Sequence, residues 1–149
     1  MKSTYKHTSI ISSDWQALAR FYQEVFGCIP VPPERNLSGE WLEKGTGIKG
    51  ARIAGVHLGL PGYGDQGPTL EIFQYSTNLA NLSPAANRKG IGHIAFEVDD
   101  VHKATQDVLK HGGTIVGEIS SAEVYGAGLI TFVYLADPEG NIIELQACK

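Results

Sequence analysis

The chain repeats itself. Residues 7–27, HTSIISSDWQALARFYQEVFG, and residues 93–113, HIAFEVDDVHKATQDVLKHGG, align at an offset of 86. That offset places His7 on His93, Asp14 on Asp100 and Gly27 on Gly113. Each segment opens with a short β-rich run, passes through Ser or Asp, and continues at helical spacing to a glycine. The strand-like parts are residues 5–11 and 92–98. In the first helix Trp15, Leu18, Tyr22 and Val25 fall at steps of three and four and form one apolar face. Ser13 with Gln16 reads as a capping box, and Gly27 can supply the left-handed residue that ends the helix. In the second helix Val101, Ala104 and Val108 repeat the stripe, Asp100 is the expected N-cap, and Gly112 or Gly113 ends the helix.

Strand candidates broken by glycine turns follow each helix. The first half has residues 51–60 and 68–75, separated by PGYGDQG. The second has 114–118, 129–135 and 142–146, the last two joined by Asp137-Pro-Glu-Gly-Asn141. Proline presets φ and glycine accepts a positive φ, so that pentapeptide predicts a hairpin. Each half reads β-α-β-β-β, with residues 29–50 too irregular to assign and residues 76–90 the natural linker. The expected class is α+β: two paired modules whose strands form a curved sheet, helices outside, around a cleft.

With 149 residues, 42% hydrophobic and 19% charged, there is material for one domain that buries most of its surface. Lys plus Arg is 12 and Asp plus Glu is 16, a net charge of −4 without any basic run. Nucleic acid and anionic membranes are poor partners for such a chain. No apolar stretch approaches the ~18 residues of a transmembrane helix, and MKSTYKHTSI does not read as a signal peptide, so a cytoplasmic location is expected. Cys28 and Cys148 lack metal-binding spacing and read as reduced thiols.

The ionisable residues on the strands carry the chemistry. His7 and His93 take matching places on the first strand of each half. Glu71, inside Thr69-Leu-Glu-Ile-Phe73, and Glu144, inside Ile142-Ile-Glu-Leu145, take matching places on the last. Side chains alternate along a strand, so Leu70 and Ile72, like Ile143 and Leu145, should pack under helices and send each Glu to the concave face. A strand His is usually structural and a strand Glu usually faces water. Their joint occurrence at repeat-related places points instead to a shared divalent cation, since two carboxylates and two neutral imidazoles balance a 2+ charge. Mixed N/O donors suit Zn, Ni, Co, Mn or Fe.

These stretches carry a resemblance. The His7 strand with SSDWQALARFYQEVFG, the TLEIFQY strand, GIGHIAFEVDDV and the closing DPEGNIIELQ resemble the glyoxalase/bleomycin-resistance/extradiol-dioxygenase (vicinal oxygen chelate) superfamily over nearly the whole chain. The resemblance implies one domain over residues 1–149, with modules at about 1–76 and 90–149. It also implies a divalent metal in the cleft on His7, Glu71, His93 and Glu144, and a homodimer. It further implies chelation of adjacent substrate oxygens, with proton movement by a neighbouring carboxylate, Glu144 in preference to Glu71.

The full His/Glu/His/Glu quartet looks like the lactoylglutathione lyase pattern, and the expected activity is a lyase or isomerase acting on a small α-oxygenated carbonyl compound. Extradiol dioxygenases leave the Glu71 position without a ligand. Methylmalonyl-CoA epimerases typically carry Gln there and use a further Glu on an earlier strand, where this chain offers only His57. A drug- or metabolite-binding protein without turnover is the alternative outside enzymes.

Other residues bear on the ligand. Arg35, Arg52 and Arg88 are the basic candidates for a substrate's carboxylates. Residues 37–41, with Trp41, could form a lid, and Tyr75, Tyr125 and Tyr134 could give polar contacts. The glycines of 59–67 precede no helix in a GxGxxG pattern, so nucleotide binding is not expected.

Overall fold

Two modules are present, β-α-β-α-β-β and β-α-β-β-β-β, and each builds its own sheet: the expected pattern with a short helix added in the first and a strand added in the second. The computed structural model describes residues 1–80 and 82–149; Asn81, inside the expected linker, lies outside the described residues. The chain divides into the units Met1–Ala80 and Asn81–Lys149.

The first unit runs β1 (His7–Ile11), α1 (Trp15–Phe26), β2 (Ile29–Ser38), α2 (Glu40–Thr46), β3 (Arg52–Gly59) and β4 (Thr69–Tyr75). Its sheet has the order β1-β4-β3-β2, with β1 parallel to β4 and the other pairs antiparallel. The second runs β5 (Ile94–Glu97), α3 (Val101–Lys110), β6 (Thr114–Ile115), β7 (Ser120–Val124), β8 (Gly128–Ala136) and β9 (Ile142–Cys148). Its order is β5-β9-β8-β6, with β7 also on β8 and β5 parallel to β9. The order of the first sheet is thus repeated in the second: opening strand, closing strand, then the strand before it.

The helices form where the apolar stripes lie. Leu18 and Tyr22 of α1 are fully buried, and α1 packs on β3 and β4. There it meets Val56, Leu58, Leu70 and Ile72, buried residues that pair across the two strands as Val56–Ile72 and Leu58–Leu70. In the second unit α3 packs on β8 and β9, where the pairs Val133–Leu145 and Leu135–Ile143 are equally buried. Each such side chain contributes about 1.5–3 kcal/mol by leaving water. This burial fixes the register, because a slip by one residue would turn the apolar set outward.

Both helices start at the repeat-related aspartates. Asp14 Oδ1 accepts from the Ala17 N–H at 3.0 Å, and Asp100 Oδ1 from the Lys103 N–H at 3.0 Å. This corrects the expected Ser13–Gln16 capping box: Asp14 is the N-cap, and the preceding Ser12 hydroxyl accepts from the Asp14 N–H. Gly27 ends α1 at φ 67°, a conformation that costs a residue with a Cβ about 1–2 kcal/mol. The second helix is capped by His111, followed by Gly112 at φ 92°.

Three further differences concern the edges. The segment 29–50 holds β2 and the short α2, with Leu42 of α2 buried against Ile53 and Phe73. The expected 114–118 strand stops after Ile115, because the Val116 and Gly117 N–H groups both bond to the Tyr134 carbonyl and break the ladder. The strand β7 lies in a stretch that was not assigned. The 137–141 hairpin forms as expected: buried Asp137 accepts from the backbone N–H groups of Glu139 and Asn141 and from the Asn141 amide.

Candidate functional site

Alternation along the strands sorts each sheet into two faces. Opposite the α1 face of the first sheet stand His7, Thr69, Glu71 and His57. The register pairs His7 with Thr69 and His57 with Glu71, so β1, β4 and β3 bring the three ionisable groups together. The Glu71 carboxylate lies between the two imidazoles, 3.4 Å from His7 Nε2 and 3.1 Å from His57 Nε2. One donor atom from each residue lies within 4.8 Å of the other two. The Glu71 side chain is only 12% exposed, against 18% for His57 and 41% for His7. A carboxylate so enclosed needs compensation by charge or hydrogen bonds.

His57 is held on three sides. Its ring meets Phe73 edge-on at 5.5 Å between centroids and His7 at 5.8 Å, while Nδ1 lies 3.1 Å from the Thr69 hydroxyl. That hydroxyl can donate or accept. With the proton on Nε2, His57 donates to Glu71 and Nδ1 accepts from Thr69. With the proton on Nδ1, His57 donates to Thr69, and the Nε2 lone pair faces the Glu71 carboxylate, where a cation between the two would be bound. Burial lowers the His57 pKa below the ordinary 6.5; the Glu71 carboxylate works against that shift, while Arg35, His7 and Lys6 add to it. The imidazole is therefore neutral at neutral pH.

Phe73 takes its place because residue 55 is glycine. A Cβ on Gly55 would stand 2.5 Å from Phe73 Cδ1 and 2.2 Å from the Ile72 carbonyl oxygen.

In the second unit His93, immediately before β5, places Nε2 2.8 Å from Glu144 Oε2. Tyr134 of β8 lies directly across from Glu144, and its ring stacks against His93 at 4.9 Å and 37°. The structure therefore places the four expected ligands in two His–Glu pairs, His7 with Glu71 and His93 with Glu144. It adds His57 to the first pair. The signal for His57 was its equal distance with Glu71 from a turn, which becomes a contact only once the β3–β4 register is fixed.

The donor chemistry fits a divalent ion. Imidazole nitrogens beside an enclosed carboxylate are borderline N/O donors. Two donors held at about 2.1 Å by one ion lie about 3.0–3.4 Å apart when they subtend a right to tetrahedral angle. His57 Nε2 to Glu71 Oε1 and His7 Nε2 to Glu71 Oε2 fall in that range, each imidazole facing its own carboxylate oxygen.

Beside the trio, a cleft of about 650 Å³ opens in the first unit, walled by His7, His57, Lys6, Arg35, Val31 and Tyr63 among others. Arg35 is thus the one of the three candidate arginines placed at this cleft. The Arg88 guanidinium bonds to the Ser83 carbonyl, and Arg52 opens β3 at the far end of the strand from His57. Trp41 lies on α2 rather than on a loop, is 62% exposed, and donates to the Ser38 carbonyl. Tyr75 packs on the Leu42 cluster, and Tyr125 is fully exposed in the turn between β7 and β8.

Two modules, each with a His–Glu contact between its opening and closing strands, define the class of a two-module α+β fold. The chain belongs to the Glyoxalase/Bleomycin resistance protein/Dioxygenase superfamily, whose family model matches residues 4–145. It is 37% identical over 90 residues to a lactoylglutathione lyase of Neisseria meningitidis, and that match covers 58% of this chain and 59% of the relative's length. It is 30% identical over 141 residues to a probable lactoylglutathione lyase of Vibrio cholerae, covering 93% and 86%. A mitochondrial methylmalonyl-CoA epimerase of Dictyostelium discoideum is 24% identical over 140 residues, covering 94% and 75%. Among solved structures, a glyoxalase family protein of Bacillus cereus shares the fold at a TM-score of 0.83, with 22% identity over 99% of this chain and 96% of the other. No helix among the described residues is long and apolar enough to cross a membrane.

Proposed function

We propose that the protein is a metal-dependent lyase or isomerase of the glyoxalase type. It would move a proton between adjacent carbons of a small α-oxygenated carbonyl compound carried as a thiol adduct. The observation that carries this reading is the matched pair of His–Glu contacts, His7 with Glu71 and His93 with Glu144, on equivalent strands of two equivalent modules. Those four residues would hold one divalent ion of the Zn, Ni, Co, Mn or Fe group. When bound, the ion supplies Lewis acidity that lowers the pKa of the C–H beside the coordinated carbonyl.

The chain's own groups do the rest. Glu144 accepts the proton from the carbon and delivers it to the neighbouring one, while the hydroxyl proton passes from the first oxygen to the second, so that substrate and product are isomers. A carboxylate serves as base where it stands within hydrogen-bond reach of the proton it accepts. His93, at 2.8 Å, holds Glu144 in place, and Tyr134 holds His93. Glu71 is the repeat-related second carboxylate. It is the more enclosed of the two, which favours Glu144 for the moving role. Lys6 and Arg35 beside the cleft suit an anionic thiol carrier. The protein acts as a homodimer in the cytoplasm.

The names of the Neisseria and Vibrio relatives support a lactoylglutathione substrate or product, and that of the Dictyostelium relative supports epimerisation of an acyl-CoA as the second reading. The two separate in one experiment. Chelator-stripped protein is reloaded with each divalent ion and assayed for formation of lactoylglutathione from the glutathione adduct of the matching 2-oxoaldehyde, and for epimerisation of methylmalonyl-CoA. Lactoylglutathione formation that needs added metal is the expected result. Epimerisation alone would transfer the assignment to the second reading, and neither activity with any ion would refute both.

A further inference from the structure

The two modules differ in the residue that faces the glutamate across the strands. Across from Glu71 stands His57, and across from Glu144 stands Tyr134. The first module therefore has three good metal donors and the second only two, since a neutral phenol is a weak ligand. We propose that His57 is a metal ligand, so that His7, His57 and Glu71 of the first module hold a divalent ion by themselves. The inference rests on the metal-dependent reading above for the roles of His7 and Glu71.

Several independent observations converge on His57. Its Nε2 lies as close to the Glu71 carboxylate as two ligands of one ion lie to each other, 3.1 Å. Its far nitrogen has a partner, the Thr69 hydroxyl at 3.1 Å, able to fix the tautomer that leaves Nε2 free to bind. Its ring is braced by Phe73, so little rotamer freedom remains to be lost on binding. The ligand atoms come from three adjacent strands of one sheet, β1, β4 and β3, whose register sets their spacing. Two imidazoles and one carboxylate form a facial set that leaves further positions for other ligands.

The test uses the full chain and Co²⁺ alone, with affinity measured by competition against a chromophoric chelator and the visible Co²⁺ spectrum as a second readout. The variants are His57→Phe, which keeps a ring against Phe73, His57→Ala, the pair His93→Ala/Glu144→Ala, and that pair combined with His57→Phe. Circular dichroism checks folding. The paired variant should still bind one Co²⁺ per chain, more weakly than wild type, and adding His57→Phe should abolish that binding. His57→Phe alone should weaken Co²⁺ binding by more than the about 10–100-fold typical of losing an outer partner, and Thr69→Val by about that amount. Should the His57 variants fail to fold, the paired variant and Thr69→Val still decide.

Wild-type affinity in His57→Phe or Thr69→Val, or no Co²⁺ bound by the paired variant, would overturn the inference while leaving the four-ligand reading intact. Wild-type affinity in the paired variant would support the trio and refute the four-ligand reading. No binding by the wild-type protein would refute both.

Discussion

His57 and Tyr134 occupy the same place in the two modules: each lies directly across from the glutamate of its sheet, His57 from Glu71 and Tyr134 from Glu144. Each ring also meets a histidine of its own module, His57 with His7 at 5.8 Å and Tyr134 with His93 at 4.9 Å. The two modules share the strand arrangement but carry different side chains at this place. That difference turns a symmetric frame into an asymmetric site.

Gly55 is predicted to be the most sensitive backbone position near the site. Gly55→Ala would drive a Cβ into Phe73 and the Ile72 carbonyl, and overpacking of this kind costs about 1–3 kcal/mol. Thermal unfolding should show the loss. Because Phe73 braces His57, metal affinity should fall as well, and an unchanged melting temperature would contradict this account of the packing.

The cysteines should differ sharply in reactivity. Cys28 is buried, and burial pushes its thiol from 9.0 up to about 11, whereas Cys148 is exposed. A thiol reagent at pH 8 should label one cysteine quickly and the second only after denaturant is added. The raised pKa also sets a direction with pH. The folded chain holds the Cys28 proton that the unfolded chain gives up, so its contribution is complete below pH 9 and is lost as pH rises toward 11. Cys28→Ala should remove that alkaline decline.

Asp100 gives the opposite dependence. Its carboxylate accepts backbone hydrogen bonds from Lys103 and His102 at the start of α3, which lowers its pKa below the ordinary 3.8. A lowered acid pKa means that the carboxylate stabilises the fold above pH 3.8 and ceases to as pH falls through the lowered value. The melting-temperature gap between wild type and Asp100→Ala should be constant near neutrality and close in acid. A gap that persists when the carboxylate is protonated would contradict the capping role.

Much of this was legible in the sequence because it rests on local rules. The helical stripes, the two aspartates before them, and the alternation around Glu71 and Glu144 all act within a few residues. What could not be read depended on distant partners. Three prolines hid β2, which tolerates them because it ends its sheet and pairs on one side only. The strand β7 is exposed throughout and so carries no apolar period. Ser13 and Asp14 are both good caps, and the geometry that selects Asp14 includes the Ser12 hydroxyl bond. His57 was visible as a strand histidine, but its contact with Glu71 is a property of cross-strand register, which spacing along one strand does not encode.

The central claim is that a carboxylate of the second module, Glu144, carries the proton while the metal stays bound. It is tested most directly by measuring metal content and turnover together in Glu144→Gln, with the glutathione adduct as substrate. The amide can still ligate through its oxygen but cannot accept a proton, so the account predicts appreciable metal and a loss of turnover of about 100-fold or more. Turnover close to wild type in a metal-loaded Glu144→Gln protein would contradict it.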